Sequence, residues 1–358
     1  MRKTFLFLIH TAFIYSHALG QEKSGVKDLL KNSISQPVIS NMYTADPSAH
    51  VFEGKIYIYG SHDIETNTPD DNMGGKFQMR DYHVLSMDSI TGTAKDHGVA
   101  LSLENIPWAK KQLWAPDAAY KNGTYYLYFP AKDKDDLFRI GVALSSSPQG
   151  PFVAASTPVK GTYSIDPFVF CDTDNTFYLY FGGISGGQLQ QWVNGTLKKN
   201  VVDLNTKNDL SPALSAKVAR LDTNMIQLAE TPKDVIVLDS EGHPLKTSDR
   251  ERRFFEGGWI HKHNGKYYFS YSTGDTHKLV YATGDSPYGP FTYQGVILLP
   301  VVGWTTHHSI VKYQGKWWLY YHDSQLSEGQ THLRNIKVTE LKHLPDGSIE
   351  TIDPYGNR

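Results

Sequence analysis

Apolar and aromatic residues alternate with polar ones in short runs along most of the chain, and each run is closed by Gly, Asn, Asp or Pro. That two-residue period predicts strands rather than helices. Five runs match one another: Gly54-Lys55-Ile56-Tyr57-Ile58-Tyr59, Gly123-Thr124-Tyr125-Tyr126-Leu127-Tyr128, Asn175-Thr176-Phe177-Tyr178-Leu179-Tyr180, Gly265-Lys266-Tyr267-Tyr268-Phe269-Ser270 and Gly315-Lys316-Trp317-Trp318-Leu319-Tyr320. A short strand repeated behind a tight turn, at roughly 40 to 50 residues or more with insertions, predicts an all-β five-bladed β-propeller whose innermost strands face a common axis. A second repeat, Ser146-Ser147-Pro148-Gln149-Gly150-Pro151-Phe152 and Asp285-Ser286-Pro287-Tyr288-Gly289-Pro290-Phe291, reads as an outer-strand turn of blades two and four. No linker-like break interrupts the pattern, so a single domain is expected over 37–358, behind a polar lead-in at 21–36 with Lys27–Asn32 as a short helix. The longest interval, Leu221–Arg253, is either a border of the functional site or a solvated loop, and specificity is expected to reside there.

The spacing of polar residues around these runs brings in chemistry. Counting back from the residue after each turn, Asp46 lies nine before Lys55, Asp166 ten before Thr176, Glu256 ten before Lys266 and His307 nine before Lys316. Blade two carries Trp114 or Ala115 at this register. Equivalent positions in a propeller converge, so two aspartates, a glutamate and a histidine are expected around one axis. Glycoside hydrolysis needs one protonated carboxyl to donate to the leaving oxygen and one ionised carboxylate to activate water or attack the sugar. Opposite blades leave room for a water, which favours inversion, and a third carboxylate nearby raises the pKa of the acid. Asp46-Pro47 and Asp166-Pro167 are also ordinary turn pairs. Glu256, flanked by Phe255 and close to Trp259, is harder to read as structural, because an apolar flank raises a carboxyl pKa.

Composition narrows the class. With 40% hydrophobic and 13% aromatic residues the chain can bury a large core, and a formal charge of −2 gives it no electrostatic reason to bind nucleic acid or anionic membranes. The single cysteine, Cys171, excludes an internal disulfide and reads as a buried, inert thiol. Arg2 and Lys3, an apolar run from Thr4 to Tyr15 and Ala18-Leu19-Gly20 have the layout of a secretory signal peptide over 1–20, with an uncleaved anchor as the other reading. The run is short for a membrane span, so a secreted or periplasmic protein without membrane insertion is expected. Asn122-Gly123-Thr124 and Asn194-Gly195-Thr196 match glycosylation sequons and are equally turn signals.

Thr44-Ala45-Asp46-Pro47-Ser48, Trp114-Ala115-Pro116-Asp117, Ser164-Ile165-Asp166-Pro167-Phe168 and Phe254-Phe255-Glu256-Gly257-Gly258-Trp259-Ile260, in that order, resemble the signature set of glycoside hydrolase family 43 over nearly the whole chain after the leader. The resemblance implies an inverting five-bladed propeller enzyme acting on arabinofuranosides and xylosides of plant polysaccharides or oligosaccharides. By position it implies Asp46 as general base, Asp166 as the residue that orients the acid and modulates its pKa, and Glu256 as general acid. It places His307 before a central ion, commonly calcium, or a water, and Arg334 near the carboxylates. It requires no cofactor for the chemistry. From the residues themselves, Trp114 is a candidate stacking platform or inner-strand packing, Asp117 a candidate acceptor for sugar hydroxyls, and His62 and Asp63 candidates for the pocket rim. Gly257-Gly258 departs from the small residue and proline common in relatives, which weakens transfer of their specificity. Terminal α-L-arabinofuranose is the leading expected substrate, ahead of β-xylose and a galactose-type sugar. A non-catalytic carbohydrate-binding propeller and a retaining hydrolase of a related clan are the alternatives.

Overall fold

Each repeated aromatic run is the second strand of a four-residue-turn hairpin, and the strand before it is the innermost of its blade. The turns Glu53-Gly54, Asn122-Gly123, Asn264-Gly265 and Gln314-Gly315 all have positive φ at both residues, the geometry that lets two antiparallel strands twist together without splaying. The computed structural model describes residues 25–71, 73–198, 210–274, 276–303 and 307–356. The expected leader at 1–20 lies outside the described residues.

The sheets form a five-bladed β-propeller. Blade one comprises Thr44–Phe52, Lys55–His62, Asp81–Met87 and Lys95–Ser102; blade two Asp117–Lys121, Thr124–Lys132, Phe138–Ser145 and Val153–Ala154. Blade three comprises Phe168–Cys171, Phe177–Phe181, Lys217–Arg220 and Lys233–Asp234. Blade four comprises Glu256–His263, Lys266–Ser272, Leu279–Gly284 and Phe291–Leu298, and blade five His308–Tyr313, Lys316–Asp323 and Asn335–Leu341. The first strand of every blade contacts the first strand of the next, closing a ring around the axis. A lag of about ten residues between a candidate acid and an aromatic run is therefore the length of one hairpin, with the acid at the start of the inner strand.

Aromatic second strands pack blade on blade, and their hydroxyls use the second sequence repeat. Tyr59 of blade one donates to the Pro148 carbonyl of blade two at 2.6 Å, and Tyr180 of blade three donates to the Pro287 carbonyl of blade four at 2.6 Å. A buried phenol must find an acceptor, and the Ser-Pro turns supply it. Cys171 departs from expectation: it ends the inner strand of blade three and is exposed. The Leu221–Arg253 interval is neither a border of the central cavity nor a bare loop. Lys233–Asp234 completes blade three, and Val237–Leu238 adds a parallel strand to the outer edge of blade four.

The N-terminal segment closes the ring. Residues 25–31 are helical, close to the expected position. Val38 then donates to Ile336 at 2.9 Å and accepts from Ala94 at 2.8 Å, bridging the outer strands of blades five and one. Beneath this seam Lys337 is buried, donating to Asp323 at 2.6 Å and to Ser33 at 2.7 Å, while Asn335 and Tyr355 also donate to Asp323 at 2.7 and 3.2 Å. No helix among the described residues is long and apolar enough to cross a membrane.

Removing one partner of a buried ion pair strands the other. Lys337→Met is expected to cost about 3–5 kcal/mol of stability, read as a lower midpoint in equilibrium urea unfolding; an unchanged midpoint would mean that the seam does not depend on this pair.

Candidate active site

At the end of the ring where the inner strands begin, the axis opens into a cavity. Its lining includes Asp46, Trp114, Asp166, Glu256, His307 and Arg334, with Phe77 and Phe255 as apolar walls. The three carboxyls come from blades one, three and four, so the ring brings together the residues that the spacing selected. The backbone is unusual at each. Asp46 and Asp166 have φ of 51° and 54°, in the left-handed region that non-glycine residues rarely occupy. The inner strands of blades one and four slip register between Ala45 and Ser48 and between Glu256 and Trp259. Such bulges re-aim a side chain that regular pleating would leave between blades.

The Gly257-Gly258 pair belongs to this device. Gly257 has φ of 65°, and its N–H donates to Asp166 Oδ2 at 2.9 Å. A Cβ there would lie 3.4 Å from the His307 ring, and one on Gly258 would lie 3.0 Å from Phe168. The two glycines thus seat the acid-bearing strand against the axis and spend an amide on the neighbouring carboxylate.

Arg334, at the mouth of blade five, divides the electrostatics. Its Nη1 donates to Asp46 Oδ1 at 2.7 Å, and its Nε and Nη2 grip Asp63 at 2.8 and 2.7 Å. The Arg334 backbone N–H adds a third donor to Asp63 at 2.9 Å. Ser61 donates to the other oxygen of Asp46 at 2.6 Å, and His322 Nδ1 accepts the Asp46 N–H at 3.1 Å. Burial alone would raise the Asp46 pKa, but the Arg334 guanidinium, with His322, His307 and Ser61, outweighs it and holds the carboxyl at about 2.

Glu256 receives no such help. Burial and the negative charge of Asp46 push it up to about 8, against a smaller pull from Arg334. Asp166 is pushed upward too, by burial and by the charges of Glu256 and Asp46. The Glu256 and Asp166 pair therefore keeps a proton near neutral pH while Asp46 is ionised. His307 Nδ1 stands 4.0 Å from Asp46 and 3.9 Å from Asp166, and burial lowers its pKa, so it is a neutral imidazole between them. One cavity thus holds a carboxylate able to take a proton and a carboxylic acid able to give one.

Other expected residues fall differently. Trp114 lines the cavity, its Nε1 donating to the Phe77 carbonyl at 2.9 Å and its ring set against Phe138 and the backbone at Gly74. Asp117 is outside the cavity lining. Its carboxylate accepts from Ser48, from His50 Nε2 at 2.7 Å and from the Val169 N–H at 2.6 Å, which ties the inner strands of blades one, two and three together. With those donors in place it is a strut of the ring rather than an acceptor for sugar hydroxyls. His62 also lies off the cavity, paired with Asp81 at 2.6 Å, because strand alternation turns it away from Asp46. Asp63 stands behind the wall and acts through Arg334. Repeat spacing does not mark the loops that shape the mouth, from which Asp70, Gly74, Phe77, Ser185 and Thr331 line the cavity. A faint signal was present in the long gap between the second and third strands of blade one, which holds Gly74-Gly75.

Residues 34–349 match the model of glycosyl hydrolases family 43. The chain belongs to that family. Among family 43 relatives, a xylosidase/arabinosidase from Bacteroides ovatus is 56% identical over 312 residues, covering 87% of this chain and 95% of its own length. A β-xylosidase from Xylanibacter ruminicola is 52% identical over 317 residues, covering 88% and 98%. A solved β-xylosidase/α-arabinofuranosidase from a compost microbial metagenome, in complex with xylotriose in a calcium-free form, superposes with a TM-score of 0.88 at 60% identity, covering 91% of this chain and 99% of its own. The family makes the protein a glycoside hydrolase and removes the binding-only alternative.

Calcium takes six to eight oxygen ligands. Around His307 the side chains offer one imidazole, while the Asp46 oxygens accept from Arg334 and Ser61 and an Asp166 oxygen accepts from Gly257. An ion held at His307 would therefore take most of its oxygen ligands from water, and the chemistry below uses no ion.

Arg334→Gln removes the cation that keeps Asp46 ionised. The acidic limb of the pH–kcat/KM profile is expected to move upward from about pH 2 towards the ordinary carboxyl range, with activity at neutral pH down by about 100-fold or more. A profile of unchanged shape would remove Arg334 from the ionisation of Asp46.

Proposed function

We propose that the protein is an inverting, exo-acting β-xylosidase that also removes α-L-arabinofuranose, with Glu256 as general acid and Asp46 as general base. The observation that carries this reading is the opposed protonation of two carboxyls in one cavity, set by contact with or distance from a single guanidinium. Glu256 gives its proton to the glycosidic oxygen as the bond to the anomeric carbon breaks. Asp46 takes a proton from a water that attacks that carbon from the opposite face. The sugar leaves with inverted configuration, the alcohol carries the Glu256 proton, and Asp46 returns its proton to solvent, from which Glu256 is reprotonated. Asp166, held by the Gly257 amide, fixes the inner wall and shares with Glu256 the proton that the pair retains, while the charge of Asp46 discourages Glu256 from ionising.

The order of substrates changes from that expected from sequence. Relatives at 52–56% identity are named for xylosidase as well as arabinosidase action, and solved relatives hold xylose or xylotriose, which supports xylose as the principal sugar. A cavity closed inward by the ring and walled by Phe77, Trp114 and Phe255 suits a terminal sugar of a xylo-oligosaccharide. A secreted or periplasmic location accords with the leader pattern of the first twenty residues.

Purified protein incubated with xylo-oligosaccharides, arabinoxylan and aryl glycosides is expected to release xylose first and arabinose more slowly, and proton NMR is expected to show the inverted anomer of xylose first. Glu256→Gln is expected to lower kcat by about 100-fold or more with little change in KM. Predominant arabinose release, or first formation of the retained anomer, would overturn the corresponding part of the proposal.

The pH profile carries a separate expectation. The acid works only while protonated, and its pKa is raised to about 8, so kcat/KM should hold through neutrality and fall about tenfold per unit above pH 8. A fall beginning at pH 5 would mean that burial does not protect the Glu256 proton.

A further inference from the structure

One face of the blade-one sheet turns towards blade five. Along it Ile56 and Ile58 of the second strand, and Met87 and Leu85 opposite them on the third, are buried in one apolar cluster with Ile336 and Tyr320. Continuing the two-residue alternation towards the mouth of the propeller puts His62, Asp81 and His83 on this same face. There the apolar pattern stops and three metal-ligating side chains take its place.

We propose that His62, Asp81 and His83 form a binding site for a divalent transition metal of the Zn2+ type, separate from the central cavity. One ligand atom from each lies within 4.8 Å of the others, and all three residues are half-buried. The His62 and His83 rings have centroids 4.7 Å apart, and His62 Nδ1 is 2.6 Å from Asp81 Oδ1. His83 Nδ1 lies 2.9 and 3.1 Å from the two oxygens of Asp96, so a second carboxylate orients this imidazole from behind. A carboxylate fixing the far nitrogen of a ligating histidine is the usual outer support of a metal site. Asp81 and Asp96, with the charge of Asp63 acting on His62, give the face a negative potential, and among the described residues no lysine or arginine is hydrogen-bonded to the three ligands. A set of two nitrogens and one oxygen, with one position left to water, suits Zn2+, Co2+ or Ni2+ better than Ca2+ or Mg2+. A plain His-Asp ion pair accounts for one imidazole; it does not account for a second imidazole with its own carboxylate on the same face.

The site lies behind the base of the proposed reaction. Ser61 and Asp63 flank His62 in sequence, and Ser61 donates to Asp46 while Asp63 grips Arg334. A metal on His62 therefore fixes the strand end that carries both supports of Asp46. Binding itself does not depend on which sugar the enzyme cleaves.

The test uses the full protein, stripped with a chelator and titrated with Co2+ and Zn2+. Wild type is expected to bind one equivalent of Co2+ with the visible absorption of a four-coordinate ion, and Zn2+ is expected to raise Tm by a few degrees through selective binding to the folded state. His83→Gln is expected to abolish both signals while leaving metal-free hydrolysis and metal-free Tm near wild type. Asp96→Asn, which keeps the ligands, is expected to weaken binding by about 10- to 100-fold. Absence of stoichiometric Co2+ binding overturns the proposal. So does binding undiminished in His83→Gln, which would put the metal on another histidine, such as His307 in the cavity or the exposed His243.

Discussion

Four buried carboxyl groups and one guanidinium meet at the mouth of this propeller, and the rest of the site depends on how that single cation is shared. Arg334 donates to Asp46 and Asp63, whereas at Glu256 and Asp166 its pull is outweighed by burial and by neighbouring negative charge. Burial in a medium of low polarity favours the neutral acid, so every carboxyl in such a place would keep its proton unless something compensates. The guanidinium works against burial at Asp46 and at Asp63, and of the carboxyls that line the cavity it holds only Asp46 below its ordinary pKa. The planar fork of arginine is suited to this, because it can serve two carboxylates at once in fixed directions, whereas a lysine ammonium is a point charge on a flexible stem. The proposed division between an aspartate that accepts a proton and a glutamate that donates one thus rests on which cavity carboxyl the fork reaches.

Backbone geometry makes that selection possible. Regular pleating would direct alternate side chains of an inner strand into the neighbouring blades, where they would be lost to solvent and substrate alike. The bulges at Asp46 and Glu256, and the left-handed backbone at Asp46, Asp166 and Gly257, bend the strand starts so that carboxyls project into the axis. Conformations of this kind cost on the order of 1–3 kcal/mol each for non-glycine residues and persist only where surroundings over-determine them. Here the surroundings are inter-blade ties such as Asp117, which joins three inner strands through one carboxylate. A residue expected to hold sugar instead keeps the strand starts in register with one another.

The ring of cavity carboxyls was legible because a hairpin has a fixed length: an acid at the start of an inner strand must stand about ten residues before the aromatic run of the next strand. The same arithmetic does not tell which way a side chain points where the strand ends, and His62 and Asp63, adjacent in sequence, face opposite ways for that reason. Arg334 has no repeat partner in the other blades and was visible only through resemblance. The mouth loops carrying Asp70, Phe77 and Thr331 have no period at all, so nothing in alternation or spacing marks them. The Leu221–Arg253 interval misled through length, since none of its residues lines the cavity and two short stretches of it, Lys233–Asp234 and Val237–Leu238, extend blades three and four at their edges. Cys171 misled through its apolar neighbours, because the last residue of a short strand is already at the surface.

The seam that closes the ring also sets a time order. Asp46 belongs to the first blade made, yet Arg334, the strongest influence lowering its pKa, and with it His322 and His307, belong to the last; only Ser61 is local. On a growing chain the base has been synthesised long before its charge is secured, and it is completed only when blade five docks and the N-terminal segment crosses to it. Hydrolytic competence is therefore a report on the finished molecule: without blade five the chain carries its carboxyls but lacks the guanidinium that holds Asp46 ionised.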